Sequence, residues 1–175
     1  MKKEEKTNVC RVLDAKKISY VLHTYEQDPS MSGEEIAKIL GEDPDKVFKT
    51  LVTQGKSGAY YVFVVPVKGE LDLKKAAKAS GEKAISMIKQ KDLLPLTGYV
   101  HGGCSPIGMK KPFQTFLHES AANYGHIFVS AGKLGFQIEL SPTDLMEVIK
   151  GETADIVLDP RDCPGGPKSS LHYAV

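Results

Sequence analysis

Two stretches of this sequence combine residue types that could bind or polarise a ligand. One is the glycine-rich segment Gly102–Gly108, with the sequence GGCSPIG. The other is Lys49, which stands in the apolar run VFKTLV. Glycine backbone lets a ligand approach closely, and an ammonium group among apolar neighbours attracts an anion or a carbonyl oxygen. Together they predict a pocket for an anionic or carbonyl-bearing ligand.

Lys49 has two interpretations that the residues alone leave open. In a strand, Val47, Lys49 and Leu51 share one face because side chains alternate. A lysine in such a row must reach water, pair with a carboxylate or point into a pocket, since burial of an unpaired ammonium is costly. The same pattern is typical of a lysine that protects an exposed edge strand.

The glycine loop also has two interpretations. Its second half, SPIG, fits a β-turn with proline at the second position and glycine at the fourth. Alternatively, the backbone N–H groups of Gly102 and Gly103 hold a carbonyl or an anion and stabilise charge that develops during acyl transfer. Cys104 is a further candidate, as a nucleophile of a thiol enzyme, although no sequence motif links a histidine to it and the side chain could equally pack inward.

Composition excludes several classes of protein. The 175 residues include 23 Lys+Arg and 22 Asp+Glu, a net charge of +1, so the chain lacks the basic excess of a general nucleic-acid binder. The cysteines and histidines show no metal-ligand spacing, and we expect no metal and no cofactor. The charged start and the lack of a long apolar run predict a cytoplasmic protein without membrane contact.

Local patterns place these residues on a mixture of helices and strands. Ser32 and Gly41 bracket a predicted helix over 33–40 as capping box and C-terminal glycine, and Asp72 begins another that ends at Gly81. The segments 47–53 and 59–67 predict an antiparallel hairpin. Further predicted elements are a helix over 8–17, strands over 18–25, 84–88, 113–118, 127–130, 136–140 and 156–158, a helical turn over 92–96 stopped by Pro95, and helices over 121–124 and 145–150.

The order of these elements predicts one α+β domain. Helices and strands mix without strict βαβ alternation, which favours an irregular, mostly antiparallel or mixed sheet. We expect the domain to cover residues 1–160 and the turn-rich segment 161–175 to form a mobile tail. Six lysines between residues 74 and 91 predict a solvated helix face, or else a rim that attracts a phosphodiester backbone.

Several motifs occur in an order that resembles the YbaK/EbsC family of aminoacyl-tRNA deacylases, which is related to the editing domain of bacterial prolyl-tRNA synthetases. The resemblance runs from about residue 18 to residue 156. It implies a single domain with a mixed, barrel-like sheet flanked by helices, and it implies no metal. The motifs are HTY (23–25), VFKTL (47–51), LDLKK (71–75), GYVHGGCSPIG (98–108), VSAGK (129–133) and IEL (138–140).

The resemblance also implies site residues. Lys49 corresponds to the family's invariant pocket lysine, Gly102 and Gly103 to the backbone that receives the aminoacyl end, and Tyr25 to a substrate-facing aromatic residue. Ser130 is implied as a pocket-wall residue, with Thr50 and Ser105 as weaker neighbours. Close relatives have an aspartate where this chain has Gln137, which leaves open how the substrate ammonium is held.

The activity implied by the resemblance is trans-editing of mischarged Cys-tRNA(Pro), in which the substrate's own thiol attacks its ester. The protein then orients the substrate, and Lys49 acts as an electrostatic anchor, because an unshifted lysine is protonated at pH 7. The expected partners are the 3′ aminoacyl end of mischarged tRNA and a prolyl-tRNA synthetase. The alternatives are a deacylase for Ala-tRNA(Pro) and a non-catalytic module that binds tRNA or nucleotides.

Overall fold

A computed structural model describes residues 6–28 and 30–158 of the chain. The predicted tail over 161–175 lies outside the described residues. The helices are α1 (Asn8–Ala15), α2 (Gly33–Leu40), α3 (Leu73–Ser80), α4 (Gln90–Thr97) and α5 (Pro142–Ile149). The strands are β1 (Val21–Thr24), β2 (Phe48–Gly55), β3 (Tyr60–Pro66), β4 (Ile85–Met87), β5 (Gln114–His118), β6 (Ile127–Ser130), β7 (Phe136–Leu140) and β8 (Glu152–Ala154).

The strands form two sheets, which confirms the α+β prediction. One sheet has the order β4-β2-β3-β5-β8, in which the β2–β3 and β2–β4 pairs are antiparallel and the β3–β5 and β5–β8 pairs are parallel. The other is the antiparallel sheet β1-β7-β6. A parallel bridge between Val47 and Phe128 joins the two sheets where β2 begins. The predicted barrel-like sheet is therefore two sheets that meet at this bridge.

Alternation along β2 and β3 separates two cores. Phe48, Val52, Val62 and Val64 pack with residues of the three-stranded sheet and of α1 and α5. The intervening residues, among them Leu51, Phe63 and Val65, pack against α3. The central hairpin is buried on both faces, so the start of β2 is held firmly in position.

The ends of α2 and α3 confirm the predictions made from caps. Ser32 Oγ accepts the N–H of Glu35 at the start of α2, and Asp72 caps α3. Both helices end at a glycine in the left-handed region, Gly41 with φ 70° and Gly81 with φ 76°. A residue with a Cβ is strained in that region, which explains why glycine stands at both positions.

Two predictions about elements were wrong. Pro95 does not stop α4, which continues to Thr97; only one helix hydrogen bond is lost at this proline, and Thr97 Oγ donates to the Leu93 carbonyl at 2.8 Å. The last strand is Glu152–Ala154 instead of 156–158. Residues after it turn back to the start of α3, where Val157 forms a bridge with Leu71.

Candidate active site

A cleft of about 410 Å³, counting its open mouth, lies where the two sheets meet. Its walls come from the start of β2, the end of β6, the start of β7, helix α2, the segment after β1 and the glycine loop. Six of the eight residues predicted to form the site line it, and four of these belong to strands. The lining residues are Tyr25, Gly33, Ile36, Val47, Phe48, Lys49, Thr50, Val67, Gly102, Cys104, Ser130, Phe136 and Gln137.

Lys49 supplies the cleft with a largely buried positive charge. Desolvation lowers the pKa of its ammonium group, and the charges of Glu70 and Glu34 partly oppose this effect. Both carboxylates act at a distance, and within residues 6–28 and 30–158 no ion pair or hydrogen bond to the ammonium is formed. A desolvated cation without a paired anion is suited to binding a phosphate or a carbonyl oxygen of a ligand.

Two buried polar side chains in the cleft wall each have an oxygen atom that lacks a hydrogen-bond partner among the described residues. Thr50 is 1% exposed and Gln137 is 5% exposed. Neither Thr50 Oγ1 nor Gln137 Oε1 forms a hydrogen bond within the part of the chain that the structure describes. An unpaired buried polar atom costs about 1–3 kcal/mol, and such atoms are rare in folded proteins. Their position in the cleft indicates that a ligand supplies the missing partners.

Tyr25 and Ser130 complete the wall near Gln137. Burial raises the pKa of the Tyr25 phenol, and the charge of Glu42 raises it further. Ser130 lies directly opposite Gln137 in the antiparallel sheet, and its Oγ accepts the N–H of Gly132 at 3.2 Å. Ser130 is therefore oriented by the turn that follows β6.

The two glycines of the loop differ in what they offer a ligand. Gly102 lines the cleft and has φ 87°, a conformation that favours glycine. Gly103 does not line the cleft, and its N–H already donates to the Val100 carbonyl at 3.0 Å. A Cβ at Gly103 would lie 3.0 Å from the backbone nitrogen of Leu134, so this glycine permits a close approach of two loops. The predicted ligand-binding N–H of Gly103 is thus engaged within the fold.

Ser105 and Cys104 are buried in the same loop. The Ser105 hydroxyl accepts the N–H of Ile107 at 3.2 Å, which stabilises the SPIG turn, and Ser105 lies outside the cleft wall. Cys104 is part of the wall but has no exposed surface, and burial raises the pKa of its thiol to about 12. A thiol with this pKa is protonated at neutral pH, which argues against the thiol-enzyme hypothesis.

The lysine-rich segment does not form a rim of the cleft. Helix α3 covers the face of the five-stranded sheet opposite the three-stranded sheet, and none of its residues lines the cleft. Lys75 forms an ion pair with Asp155 at 3.0 Å and donates to the Val157 carbonyl at 2.9 Å. These contacts fit the interpretation of a solvated helix face.

Sequence reasoning missed the contribution of α2 to the site. Gly33 and Ile36 line the cleft, and a Cβ at Gly33 would clash with Val67 on the facing segment. Glycine at the first turn of a helix, where most residues would be accepted, is the signal that could have revealed this close approach. Glu42, just beyond the same helix, was missed as well.

Two structural features of other protein classes are absent from residues 6–28 and 30–158. No three His, Cys, Asp or Glu side chains converge there in a way that could hold a metal ion. No helix among these residues is both long and apolar enough to cross a membrane.

The fold and the cleft define a class of protein. It is a single α+β domain whose cleft, within the described residues, presents a lysine without an ion pair and unpartnered polar atoms to a small ligand or to the end of a larger one. A family model described as an aminoacyl-tRNA editing domain matches residues 27–148. This match covers every cleft residue except Tyr25. The chain belongs to the aminoacyl-tRNA editing domain family.

Individual relatives agree with this assignment. A protein of Enterococcus faecalis strain V583, provisionally named Cys-tRNA(Pro)/Cys-tRNA(Cys) deacylase EbsC, is 46% identical over 156 residues, which is 89% of this chain and 95% of the relative. A crystal structure provisionally described as a trans-editing enzyme for prolyl tRNA synthetase superposes with a TM-score of 0.75 at 23% identity, covering 89% of this chain and 100% of that one. A crystal structure described as a hypothetical protein has a TM-score of 0.77 at 22% identity, covering 85% and 97%. These two structures share the fold.

Proposed function

We propose that this protein is an aminoacyl-tRNA deacylase that removes cysteine from Cys-tRNA(Pro) in trans. The observation that supports this most is the cleft itself, in which an unpaired Lys49 faces the space bordered by the unpartnered Thr50 and Gln137. The 46% identical relative provisionally named Cys-tRNA(Pro)/Cys-tRNA(Cys) deacylase supports the choice of substrate.

The reaction needs no nucleophile from the protein, because the aminoacyl ester is already activated and the cysteine carries its own thiol. The substrate sulfur attacks the ester carbonyl, a C–S bond forms, and the C–O bond to the terminal ribose breaks. The thiol proton ends on the ribose oxygen, and water then opens the cyclic thioester to free cysteine. Orientation and charge stabilisation are the contributions that the cleft can make to such a reaction.

Each proposed site residue has a part in that orientation. Lys49 anchors the terminal adenosine through its phosphate or polarises the ester carbonyl, and Gly102 offers backbone that the aminoacyl end can approach. Thr50 Oγ1 is a second polar group beside the reacting ester. Tyr25 and Ser130 border the side chain of the amino acid. Gly103 and Ser105 act in this scheme by shaping the loop, because their polar groups are bonded within it.

We extend the proposal to a partner and a place. A domain of this size has little surface with which to select one tRNA, so a prolyl-tRNA synthetase that holds tRNA(Pro) would present the mischarged end. Both tRNA and synthetase act in the cytoplasm, where we place the protein. A pull-down of a prolyl-tRNA synthetase with and without tRNA(Pro) tests this part, and an unchanged, background-level signal in both samples would contradict it.

A second candidate substrate is Ala-tRNA(Pro). The observation that favours it is Gln137, a neutral amide in the wall at a position where the family resemblance implies an aspartate, because a change in how the ammonium is held can alter the choice of amino acid. Alanine lacks a thiol, so this reaction would need water as the nucleophile.

The decisive experiment measures release of labelled amino acid from tRNA(Pro) charged with cysteine, alanine, serine or proline. Serine replaces only the sulfur of cysteine by oxygen, so it isolates the role of the thiol. We expect rapid release of cysteine alone, and a loss of about 100-fold with Lys49→Ala. If alanine and serine are released as fast as cysteine, the substrate thiol is not needed, and the result would support direct hydrolysis by water instead. No release above buffer from any ester would leave the binding-module alternative.

A further inference from the structure

Glu42 occupies an unusual place at the end of α2. The N–H of Gly41 donates to the Lys38 carbonyl at 3.3 Å and the N–H of Glu42 donates to the Ala37 carbonyl at 2.8 Å, which together form a Schellman motif. The residue after the left-handed glycine of this motif is commonly apolar, because its side chain folds back onto the helix. Here it is a glutamate, so the motif directs a carboxylate toward the protein.

The Glu42 carboxylate is buried without a partner. Both of its oxygens are out of contact with solvent, and neither forms a hydrogen bond within the described residues. Burial raises the pKa of the group to about 7, while the side-chain amide of Gln137 and the charge of His23 lower it and the charge of Glu139 raises it. Such a group destabilises the free protein, and the side-chain amide of Gln137 and the charge of His23 offset its burial only in part.

The carboxylate lies close to two residues of the cleft wall. It interacts with Gln137 and Tyr25, which are both wall residues from different parts of the three-stranded sheet region. Gln137 is 5% exposed and its Oε1 has no partner in the described part of the chain. The wall therefore has an unpaired acceptor beside a buried carboxyl group.

The other charged group of the cleft lies toward the opposite end of α2. The charge of Lys49 interacts with that of Glu34 in the first turn of the helix, whereas Glu42 follows the last turn. Eight residues of α-helix extend about 12 Å. A ligand that lies along α2 would meet a positive charge at one end and an acceptor with a negative charge behind it at the other.

We propose that Gln137 binds the α-ammonium group of the aminoacyl ester and that Glu42 is the positioning residue behind it, supplying the negative charge that a neutral amide lacks. This inference rests on the proposed function. The carbonyl oxygen of Gln137 accepts one ammonium hydrogen, and the Glu42 carboxylate holds the amide group and attracts the cation through a poorly solvated wall. Hydrogen bonds and Coulombic attraction that involve charged groups are stronger in such surroundings.

The test uses two stable probes and a matched control variant. The first probe is cysteine joined by an amide to 3′-amino-3′-deoxyadenosine, which has the ammonium but cannot lose its amino acid. The second is its Nα-acetyl derivative, which lacks the charge. Glu82→Gln is the control, because Glu82 follows the left-handed Gly81 of α3 in the same motif and lies away from the cleft.

Binding of both probes is measured by calorimetry at pH 7. We expect the wild type and Glu82→Gln to bind the ammonium probe about tenfold more tightly than the acetylated probe, and Glu42→Gln to lose this preference while binding the acetylated probe unchanged. Unchanged affinity for the acetylated probe also shows that the variant cleft is folded. An equal preference in wild type and Glu42→Gln would overturn the inference, as would no preference in the wild type.

A charge exchange gives a second, independent arm. The double variant Glu42→Gln/Gln137→Glu exchanges the carboxylate and the amide between the two positions, so the carboxylate now lies in the wall and the overall composition is unchanged. We expect this variant to regain the preference for the ammonium probe. With Cys-tRNA(Pro), Glu42→Gln should raise KM about tenfold with a smaller change in kcat. If the protein prefers the ammonium probe but releases no cysteine from tRNA, the proposed function is refuted and this inference is retained. If it deacylates Cys-tRNA(Pro) but shows no preference for the ammonium probe, the proposed function is retained and this inference is refuted.

Discussion

Helices α2 and α3 end in the same way, with a left-handed glycine followed by a glutamate, but the two glutamates have opposite environments. Glu82 after α3 accepts hydrogen bonds from Tyr61 Oη and Ser57 Oγ, each at 2.6 Å, and these bonds lower its pKa. Glu42 after α2 has no such bond in the described residues, and burial raises its pKa to about 7.

The difference teaches that one local motif can serve either stability or binding. The glycine and the backbone bonds place the glutamate in both cases, and distant parts of the chain decide what it meets. The same division holds for the lysines. Lys75 on α3 is paired with Asp155, whereas Lys49 in the cleft has only distant carboxylates. Among the described residues, the cleft contains a largely buried lysine that has no ion pair.

The largest effect should come from exchanging the two lysines for an uncharged residue of similar length. We expect Lys49→Met to reduce release of cysteine from Cys-tRNA(Pro) about 100-fold and to raise the melting temperature slightly, because a desolvated charge is removed. Lys75→Met should keep full activity and lose about 1 kcal/mol of stability with its ion pair. Single-turnover kinetics measures the activity of each variant, and thermal unfolding measures its stability. Equal activity of the two variants would contradict a special role for the lysine in the cleft.

The two glycines should respond alike, because their strain is local. A Cβ at Gly41 or Gly81 would have no atom within 4 Å, so only the left-handed backbone opposes a substitution. We expect Gly41→Ala and Gly81→Ala each to lower the free energy of unfolding by about 1 kcal/mol. Denaturant unfolding gives both values. A difference of more than about 1 kcal/mol would show that the two helix ends are not equivalent in the backbone.

The two glutamates should respond with opposite signs. The pKa of Glu42 is about 7 in the folded protein, above its ordinary value of 4.5, so the wild type loses stability as pH rises between these values. Glu42→Gln should therefore melt about 2 °C higher than the wild type at pH 8, and the gain should vanish below pH 4.5. His23, Glu139, Tyr25 and Gln137 are the groups that face Glu42 and remain in both proteins.

Glu82→Gln provides the opposite case. The pKa of Glu82 is lowered by its hydrogen bonds, so its contribution to stability is present at neutral pH and is lost in acid. The variant should melt below the wild type at pH 8, and the difference should shrink as the pH falls. Melting curves of the three proteins from pH 4 to pH 8 test both signs, and parallel curves would contradict the assignment.

The smallest effect on activity should come from Cys104→Ala. The buried thiol is protonated at neutral pH and makes no chemical contribution in the proposed reaction, so the rate of cysteine release should stay within about twofold of the wild type. Stability should fall by about 1 kcal/mol because a small cavity is left. Inactivity of a folded Cys104→Ala protein would revive the thiol-enzyme hypothesis.

Local rules predicted much of the fold, and long-range contacts account for most of the rest. Caps placed α2 and α3, and alternation placed the β2–β3 hairpin. Pro95 was misjudged because the cost of a proline depends on how many helix hydrogen bonds it removes. The final strand was misplaced because its partner, β5, lies more than thirty residues earlier in the chain.

The candidate site was predicted in part for the same reason. Residue types and family resemblance pointed to Lys49, Gly102 and Gln137, all of which line the cleft. The use of the Gly103 N–H within the loop depends on the turn that the chain makes there, and the burial of Glu42 depends on strands far away in the sequence. Neither can be deduced from spacing.

The buried thiol of Cys104 has a consequence for the lifetime of the protein in a cell. A deacylase for cysteinyl esters would release free cysteine beside its own cleft at every turnover, and cysteine that is later oxidised becomes the disulfide cystine. A reactive thiolate in the wall could attack cystine, forming a mixed disulfide and releasing one cysteine. Disulfide exchange proceeds through the thiolate, which a pKa of about 12 makes scarce, and the sulfur has no exposed surface to attack. The wall is thereby protected from forming a mixed disulfide with cystine.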